Sequence, residues 1–399
     1  MEIQKNIVEL VKKIQEHGKM KKLIVNIFCI LMIFSFVGCI WFKEESSLLD
    51  TKVKRITHKF SVDENQVYFG FWTDHYSDEN WQMSTFVIDS EKKDIISRIV
   101  YSENKGESMA IEAVPYDGKL WLLGAEMSKK ILVFNPETGK TENVIEYEEA
   151  NHHTFNILPS MNKALVMHGY HYEEGCSVSV IDLKTQQYKG IVYIDELAPI
   201  MQEYNGITYG CGNGYLYDDT KEGFGTYELK GNRLIFTPIF ICNPQPDGGH
   251  SGNRANPFLI LPDGTIVIRD RTYGITIRNP DGTLQHIYAQ GYESEYYSLG
   301  NIYYSEKLER IYVNAGLDHS YAYLEKNEQN EWNWNKKHFL DFEEESYSST
   351  FLKNDIIMIA DDYTETKEYY VKFYDAATFD LIKEVRWNLF TDEKTVIEK

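Results

Sequence analysis

Turn-forming residues recur along this 399-residue chain at nearly constant intervals, and that spacing restricts the fold more than any other feature. Asn65, Gly118 (YDGKLWLLG), Asn162 (MNKALVMHG), Gly206 (YNGITYG), Gly264 (PDGTIVIRD), Leu308 (EKLERIYVN) and Asn354 (KNDIIMIA) each mark a turn ahead of a strongly apolar run. Successive intervals are 53, 44, 44, 58, 44 and 46 residues. Asn, Asp and Gly adopt the left-handed backbone of tight turns at little cost, so such sites reverse the chain. A second turn falls within each interval: 89–94 (DSEKKD), 135–140 (NPETGK), 182–187 (DLKTQQ), 229–232 (LKGN), 279–283 (NPDGT), 325–331 (EKNEQNE) and 375–380 (DAATFD).

Between the turns lie apolar-alternating runs of strand length, and helical periodicity is nearly absent. Each unit therefore holds two hairpins, or four strands. A period of about 40–50 residues with four strands per unit is the signature of a β-propeller blade. The prediction is an all-β, seven-bladed β-propeller with four antiparallel strands per blade. A two-sheet sandwich would have to carry about 28 strands, whereas open sheets rarely exceed about ten. The hairpins, such as DGKLWLLG followed by ILVFNPETGK, resemble the YVTN and quinoprotein-like propellers, which include lipid-anchored bacterial proteins. The resemblance covers roughly residues 55–390 and implies the fold and an exposed location. Propellers host enzymes, scaffolds and ligand binders alike, so no catalytic residue is carried over.

Ahead of the repeats, Met20-Lys21-Lys22 is a basic start, Leu23 to Val37 is uncharged and apolar, and Gly38-Cys39 closes the run. Cations at the cytoplasmic face followed by an apolar segment are what a secretory signal needs. The segment resembles a bacterial lipoprotein signal, with Phe36 where Leu is usual. In such signals the Cys39 thiol is diacylated, would label with palmitate, and becomes the first mature residue. The alternative is an uncleaved anchor over Leu23 to Phe42, about the length that spans a bilayer. Met1 to Lys19 reads as a short amphipathic helix or as an upstream mis-start, with Met20 the true start.

The expected organisation is an extension and signal peptide at 1–38, a lipidated Cys and tether at 39–54, the propeller at 55–390, and a loose tail at 391–399. Strands at 55–62 through 94–101 and at 345–352 through 381–388 are read as completing their own blades. The ring should then close by packing between unmixed first and last blades. The expected location is the outer, extracellular face of the cytoplasmic membrane. Abundant Lys, Ile, Asn and Tyr point to an AT-rich genome and a Gram-positive source.

The whole chain has 41 basic and 61 acidic residues. Residues 1–38 carry six Lys and three Glu, which leaves 35 basic and 58 acidic residues from Cys39 onward, a net charge of −23. Such a surface repels nucleic acid, so no DNA or RNA partner is expected. The expected state is a monomer. Cys176, Cys211 and Cys242 fit neither a zinc pattern nor a disulfide framework. Buried free thiols are the favoured reading, with a Cys176–Cys211 or Cys211–Cys242 bridge as the alternative.

Strand alternation places every loop at one end of the propeller or the other. The end opposite the first and third turns of each blade holds His75, His152, His153, His171, His250 and His319, six of the ten histidines after Cys39. Imidazole is a common ligand for transition metals and a general base near neutral pH. No HExxH, HxH or CxxC pair fixes a metal geometry. No cofactor is therefore required by any motif, although a divalent metal would suit these residues. The crossover at 243–254 sets His250 and Arg254 among Gly248, Gly249 and Gly252. With Arg269 and Arg271, Arg254 forms the one basic group near this end, able to fork onto a carboxylate or phosphate or to pair with Asp247 and Asp270. Gly210-Cys211-Gly212-Asn213-Gly214 has the glycines of a phosphate loop but no following helix, and reads as a tight hairpin.

The candidate ligand-binding residues are thus His75, His153, His171, His250, Arg254, Arg271 and His319. The first functional expectation is a non-enzymatic binding or scaffold module for a peptide, glycan or partner protein. The alternative is a metal-assisted lyase or hydrolase at the mouth of the propeller axis.

Overall fold

In the computed structural model the described residues are 52–71, 84–101, 112–124, 129–149, 152–171, 175–194, 201–212, 223–241, 258–269, 274–288, 302–315, 320–335, 338–339, 349–363 and 368–398. The segment 1–51, including the signal, the possible amphipathic helix and Cys39, lies outside them, as does Cys242.

The described chain is a succession of antiparallel meanders. The first sheet holds β1 (Val53–Ile56), β2 (Gln66–Phe71), β3 (Ser84–Asp89) and β4 (Asp94–Tyr101), in the order β1-β4-β3-β2. The second holds β5 (Glu112–Tyr116), β6 (Lys119–Leu123), β7 (Lys130–Asn135) and β8 (Lys140–Glu146) in chain order. Next comes an eight-stranded sheet built of two meanders. One is β9 (His152–Leu158), β10 (Lys163–His171), β11 (Gly175–Asp182) and β12 (Gln187–Ile194). The other is β13 (Met201–Tyr204), β14 (Ile207–Gly212), β15 (Gly223–Lys230) and β16 (Arg233–Ile241). A parallel bridge between Tyr193 and Arg233 joins them into one sheet.

Three further sheets follow. They are β17 (Phe258–Ile260), β18 (Ile266–Arg269), β19 (Gly274–Arg278) and β20 (Leu284–Tyr288); then β21 (Ile302–Ser305), β22 (Arg310–Ala315), β23 (Ser320–Lys326), β24 (Trp332–Trp334) and β25 (His338–Phe339). The last holds β26 (Ser349–Lys353), β27 (Ile356–Tyr363), β28 (Glu368–Asp375), β29 (Leu381–Asn388) and β30 (Lys394–Glu398).

The turns explain this regularity. Each second turn named above contains a residue in the left-handed region: Lys93, Gly139, Gln186, Gly231, Gly282, Asn330 and Phe379. Gly139, at φ 73°, also sits where an added Cβ would approach Ile56 to 3.2 Å, so it has a packing reason as well as a conformational one.

Alternating side chains on the central strands pack each meander against both neighbours. Leu120 and Phe134 meet Val87 and Tyr101 of the first sheet, while Trp121 and Val133 meet Ala164 and Val166 of the next meander. Similar clusters continue through Met167 with Tyr227, Phe224 with Phe258, Val267 with Ile311, and Tyr312 with Ile359. A final cluster returns to the start: Met358, Val371 and Trp387 of the last sheet pack on Phe86, Ile88 and Ile95 of the first. Phe86 stacks on Tyr369 at 3.9 Å between ring centroids, with planes 6° apart. Sheets packed face to face in chain order, with the last on the first, form a β-propeller. Among the described residues, the first and last sheets share no strand, as the sequence led us to expect.

Three expectations need correction. Residues 55–62 do not form a strand hairpinned to β2 through Asn65. The strand is instead Val53–Ile56, two residues into the expected tether, and it lies on the opposite edge of the sheet beside β4. Residues 57–65 return along the ends of the strands, where Phe60 N–H reaches Pro136 O and Ser61 Oγ donates to Glu137. An exposed edge at β4 and close packing over the Gly139 turn favour this path over a local hairpin.

Likewise, the C-terminal stretch is not a loose tail, because β30 adds to β29 over Lys383–Trp387. Finally, Gly210, Cys211 and Gly212 lie within β14, and the link to β15 spans 213–222, so this is no tight hairpin. Cys176 and Cys211 are buried and neither forms a disulfide, in line with the favoured cysteine reading.

Candidate functional site

Two of the sequence candidates, His153 and His171, lie on strands whose ends fall at the same end of the ring. β5, β9 and β13 each run into a tight turn, at 117–118, 159–162 and 205–206, so all three begin at the opposite end. β5 neighbours β9, and β9 neighbours β13, with Met201 N–H donating to Asn156 Oδ1 at 3.0 Å. Glu112 is therefore the first residue of one inner strand, and His152-His153 opens the next.

Glu112 is exposed, yet protein surrounds it closely enough that dehydration pushes its carboxyl up to about 7. A carboxyl poised near neutrality can hold or release a proton under ordinary conditions, which is the property acid–base chemistry requires. Sequence reasoning missed it, since a glutamate opening the strand EAVPY is unremarkable in composition. Its place directly after a blade crossover was the available signal.

The neighbouring strands are irregular at the same end. Thr154 pairs with Met167 and His152 with His168, which leaves His153 as the extra residue of a β-bulge in β9. On the other side of β10, Met167 pairs with Val178 and Tyr170 with Cys176, so His168 and Gly169 together oppose Ser177. Bulges cluster beside functional sites because the extra residue bends the strand and re-aims side chains.

Beneath these bulges lies a buried polar cluster. His168 is 1% exposed, and its Nε2 lies 2.8 Å from Ser179 Oγ. Its carbonyl accepts from the Cys176 thiol at 2.8 Å. Ser177 Oγ donates to the Glu149 carboxylate, and the Tyr147 ring lies 5.7 Å from the His168 ring. Burial pushes the Tyr147 phenol above its ordinary range. Burial does the same for Tyr188, reinforced by the charges of Glu148 and Glu149. Hydrogen-bonded polar groups in a dry site hold their surroundings in one arrangement. This cluster links the segment after β8 to β10 and β11.

His153 and His171 thus stand at the bulge of β9 and the last position of β10, where His171 pairs with Gly175. Their side chains lie outside the described residues, as do His75, His250, Arg254, Arg271 and His319 entirely. Arg269 ends β18. Among the described residues, no group of three His, Cys, Asp or Glu side chains is placed to hold a metal ion.

No known protein family matches this sequence, and no curated protein matches it. Solved structures share its fold. The periplasmic gluconolactonase of Pseudomonas aeruginosa aligns with a TM-score of 0.52 at 10% identity, covering 83% of this chain and 99% of that one. A putative 6-phosphogluconolactonase of Bacteroides uniformis gives 0.51 at 13% identity, covering 84% and 96%. Another from Bacteroides fragilis gives 0.50 at 12%, covering 84% and 99%. Identities this low carry the fold and none of the chemistry. The chain is similar to these proteins as one β-propeller is to another.

Proposed function

We propose that this chain is a seven-bladed propeller, tethered through a lipidated Cys39 outside the cytoplasmic membrane, that captures a peptide, glycan or partner protein at one end of its ring. The observation that carries this reading is the coincidence, at a single end, of Glu112 at the start of β5, its carboxyl raised by burial, with the bulges at the start of β9 and near the end of β10. The seven-blade count is supported by seven hydrophobic clusters among the described residues, each joining successive meanders and the last returning to the first. The capturing surface would comprise Glu112 with His75, His153, His171, His250, Arg254, Arg271 and His319. Loops carry such roles because the scaffold beneath them stays rigid.

Two experiments test the reading. Cys39→Ser should abolish palmitate labelling and release the chain from membranes, whereas an unlabelled wild-type chain would remove the lipid anchor. Replacing His153, His171 and His250 together by Ala should abolish ligand capture while shifting stability by no more than about 0.5 kcal/mol, the usual size for a substitution away from the core. Capture that survives this change and is lost on altering the opposite turns at 135–140 and 279–283 would place the surface at the other end.

A second reading, extracytoplasmic hydrolysis, is favoured by Glu112 itself. An ionised Glu112 could take a proton from water as the oxygen adds to an ester or lactone carbonyl, then return it to the departing alkoxide. The proton balance closes on the one carboxyl. Turnover of glucono-1,5-lactone by wild type and its loss in Glu112→Gln would favour this reading over capture. Metal analysis of untagged protein separates a metal-assisted route from this one.

A further inference from the structure

The outer edge of the second sheet carries an open groove of about 480 Å³ that belongs to neither surface described above. One wall is the edge strand β8, from Asn143 through Glu146. The other is the 185–188 turn of the next meander, with Gln186, Gln187 and Tyr188. Asn143 Nδ2 reaches across to Gln186 O and Oε1, both at 3.3 Å.

The backbone of β8 faces this groove. Tyr147 N–H donates back to Lys129 O at 2.9 Å, while Lys130 O accepts from Gly124 on the far side of β7 at 3.2 Å. Lys130 pairs with Glu146 and Leu132 with Val144. Antiparallel ladders alternate strictly, so the N–H and C=O groups of Val144 and Glu146 point away from β7, out of the sheet. Val144 N–H is met there by its neighbour's side chain, Asn143 Oδ1, at 2.9 Å. Among the described residues, no strand pairs with β8 on this side.

The same molecule shows what fits such an edge. β1 pairs antiparallel with β4, and β30 with β29. β1 supplies the fourth strand of its sheet, whereas β30 adds a fifth strand to the outer edge of a complete four-strand set. β8 is the outermost strand of its own set and lacks that addition.

We propose that β8 is a docking edge for an extended peptide, which adds as an antiparallel outer strand in the groove. Edge addition draws affinity from main-chain hydrogen bonds and selectivity from alternate side chains. Val144, 46% exposed, and Glu146, whose side chain is 71% exposed, lie two apart on one face of β8. The occupant therefore places an apolar and a basic residue two apart on that face, and small polar residues against the amides of Gln186 and Gln187. A chain of net charge −20 favours a basic segment further.

The test uses the propeller-bearing chain and the peptide N-acetyl-Thr-Lys-Thr-Val-Thr-amide, whose order sets Lys against Glu146 and Val against Val144 in an antiparallel strand, read by amide hydrogen exchange and by NMR titration at millimolar peptide. Slowed exchange at Val144 and Glu146, with at least tenfold weaker binding when the peptide valine is N-methylated, is the expected result. Val144→Pro removes an outward N–H that the sheet does not use, so it should abolish binding while leaving the far-UV spectrum unchanged. Should that variant misfold, Glu146→Lys provides the second arm and should weaken binding of the lysine peptide by severalfold. Protection at the start of β5 or β9, equal binding of the N-methylated peptide, or no protection of β8 would each overturn the proposal. Because Glu112→Gln leaves β8 intact, binding in that variant separates this site from the end of the ring.

Discussion

The seam between the last and first sheets contrasts with the end of the ring where β5, β9 and β10 meet the loops. At the seam, aromatic and aliphatic side chains interlock, and one buried cation is fully partnered. Arg98 is 2% exposed; its Nε donates to Ser84 Oγ at 2.8 Å, and its Nη1 to Leu389 O at 2.7 Å and Asp392 Oδ1 at 3.0 Å. The other oxygen of Asp392 takes Arg55 of β1 at 2.6 Å, and Trp387 Nε1 donates to Oδ1 at 3.2 Å. A single carboxylate thus ties β1, β4 and the turn before β30 together. Burial alone would raise the Asp392 carboxyl, but the bonds from Arg55 and Trp387 and the charge of Arg98 hold it below the usual range. At the loop end the ladder is bulged on both sides of β10, and a carboxyl is held near neutrality. The seam is arranged for closure; the loop end tolerates irregularity of the kind that functional sites retain.

The contrast can be broken most severely at the seam. Asp392→Ala leaves Arg98 buried without its carboxylate and should cost about 3–5 kcal/mol, the usual penalty for stranding one half of a buried pair. Calorimetry should show a large fall in Tm, and a loss below about 1 kcal/mol would mean that the seam does not depend on this carboxylate. The same group predicts acid sensitivity. Its depressed carboxyl stabilises the fold above the ordinary carboxylate range, and that contribution is lost as pH falls through and below it.

A smaller effect is expected beneath the loops. His168→Ala removes the partner of Ser179 and should cost about 1–3 kcal/mol, as for other buried polar groups deprived of a bond. If the cluster positions the loops, ligand capture at the end of the ring should fall more than stability does. Equal losses would reduce the cluster to packing.

The smallest effect sharpens the comparison through pH. Folded Glu112 keeps its proton up to about 7, whereas in the unfolded chain it loses it in the ordinary carboxylate range. Between those limits the folded state binds more proton, so this group makes stability fall as pH rises through that window. Glu112→Gln should remove that slope. The variant should be slightly more stable than wild type above pH 7 and indistinguishable from it in acid. Parallel curves of Tm against pH would show that Glu112 is ordinarily hydrated.

Much of this fold was legible in the sequence because its turns are chemically marked. All seven second turns contain a left-handed residue, at Gly, Gln or Asn in five of them and at Lys93 and Phe379 in the other two, and the apolar runs between became the central strands. The common end of His153 and His171 was legible as well, because strand parity decides at which end of a meander a residue lies.

Local pattern by itself therefore determined the class of fold, the strand lengths and the reversal points, since these depend on neighbours within a few residues. The tertiary structure alone decided which edges would receive extra strands. β1 pairs across more than forty residues of chain with β4, and β30 attaches where no periodicity called for a strand, because an edge selects its partner by proximity and free hydrogen bonds. Only the assembled ring, too, distinguishes Glu112 from the other glutamates. Its raised proton affinity comes from burial, which only the folded chain supplies.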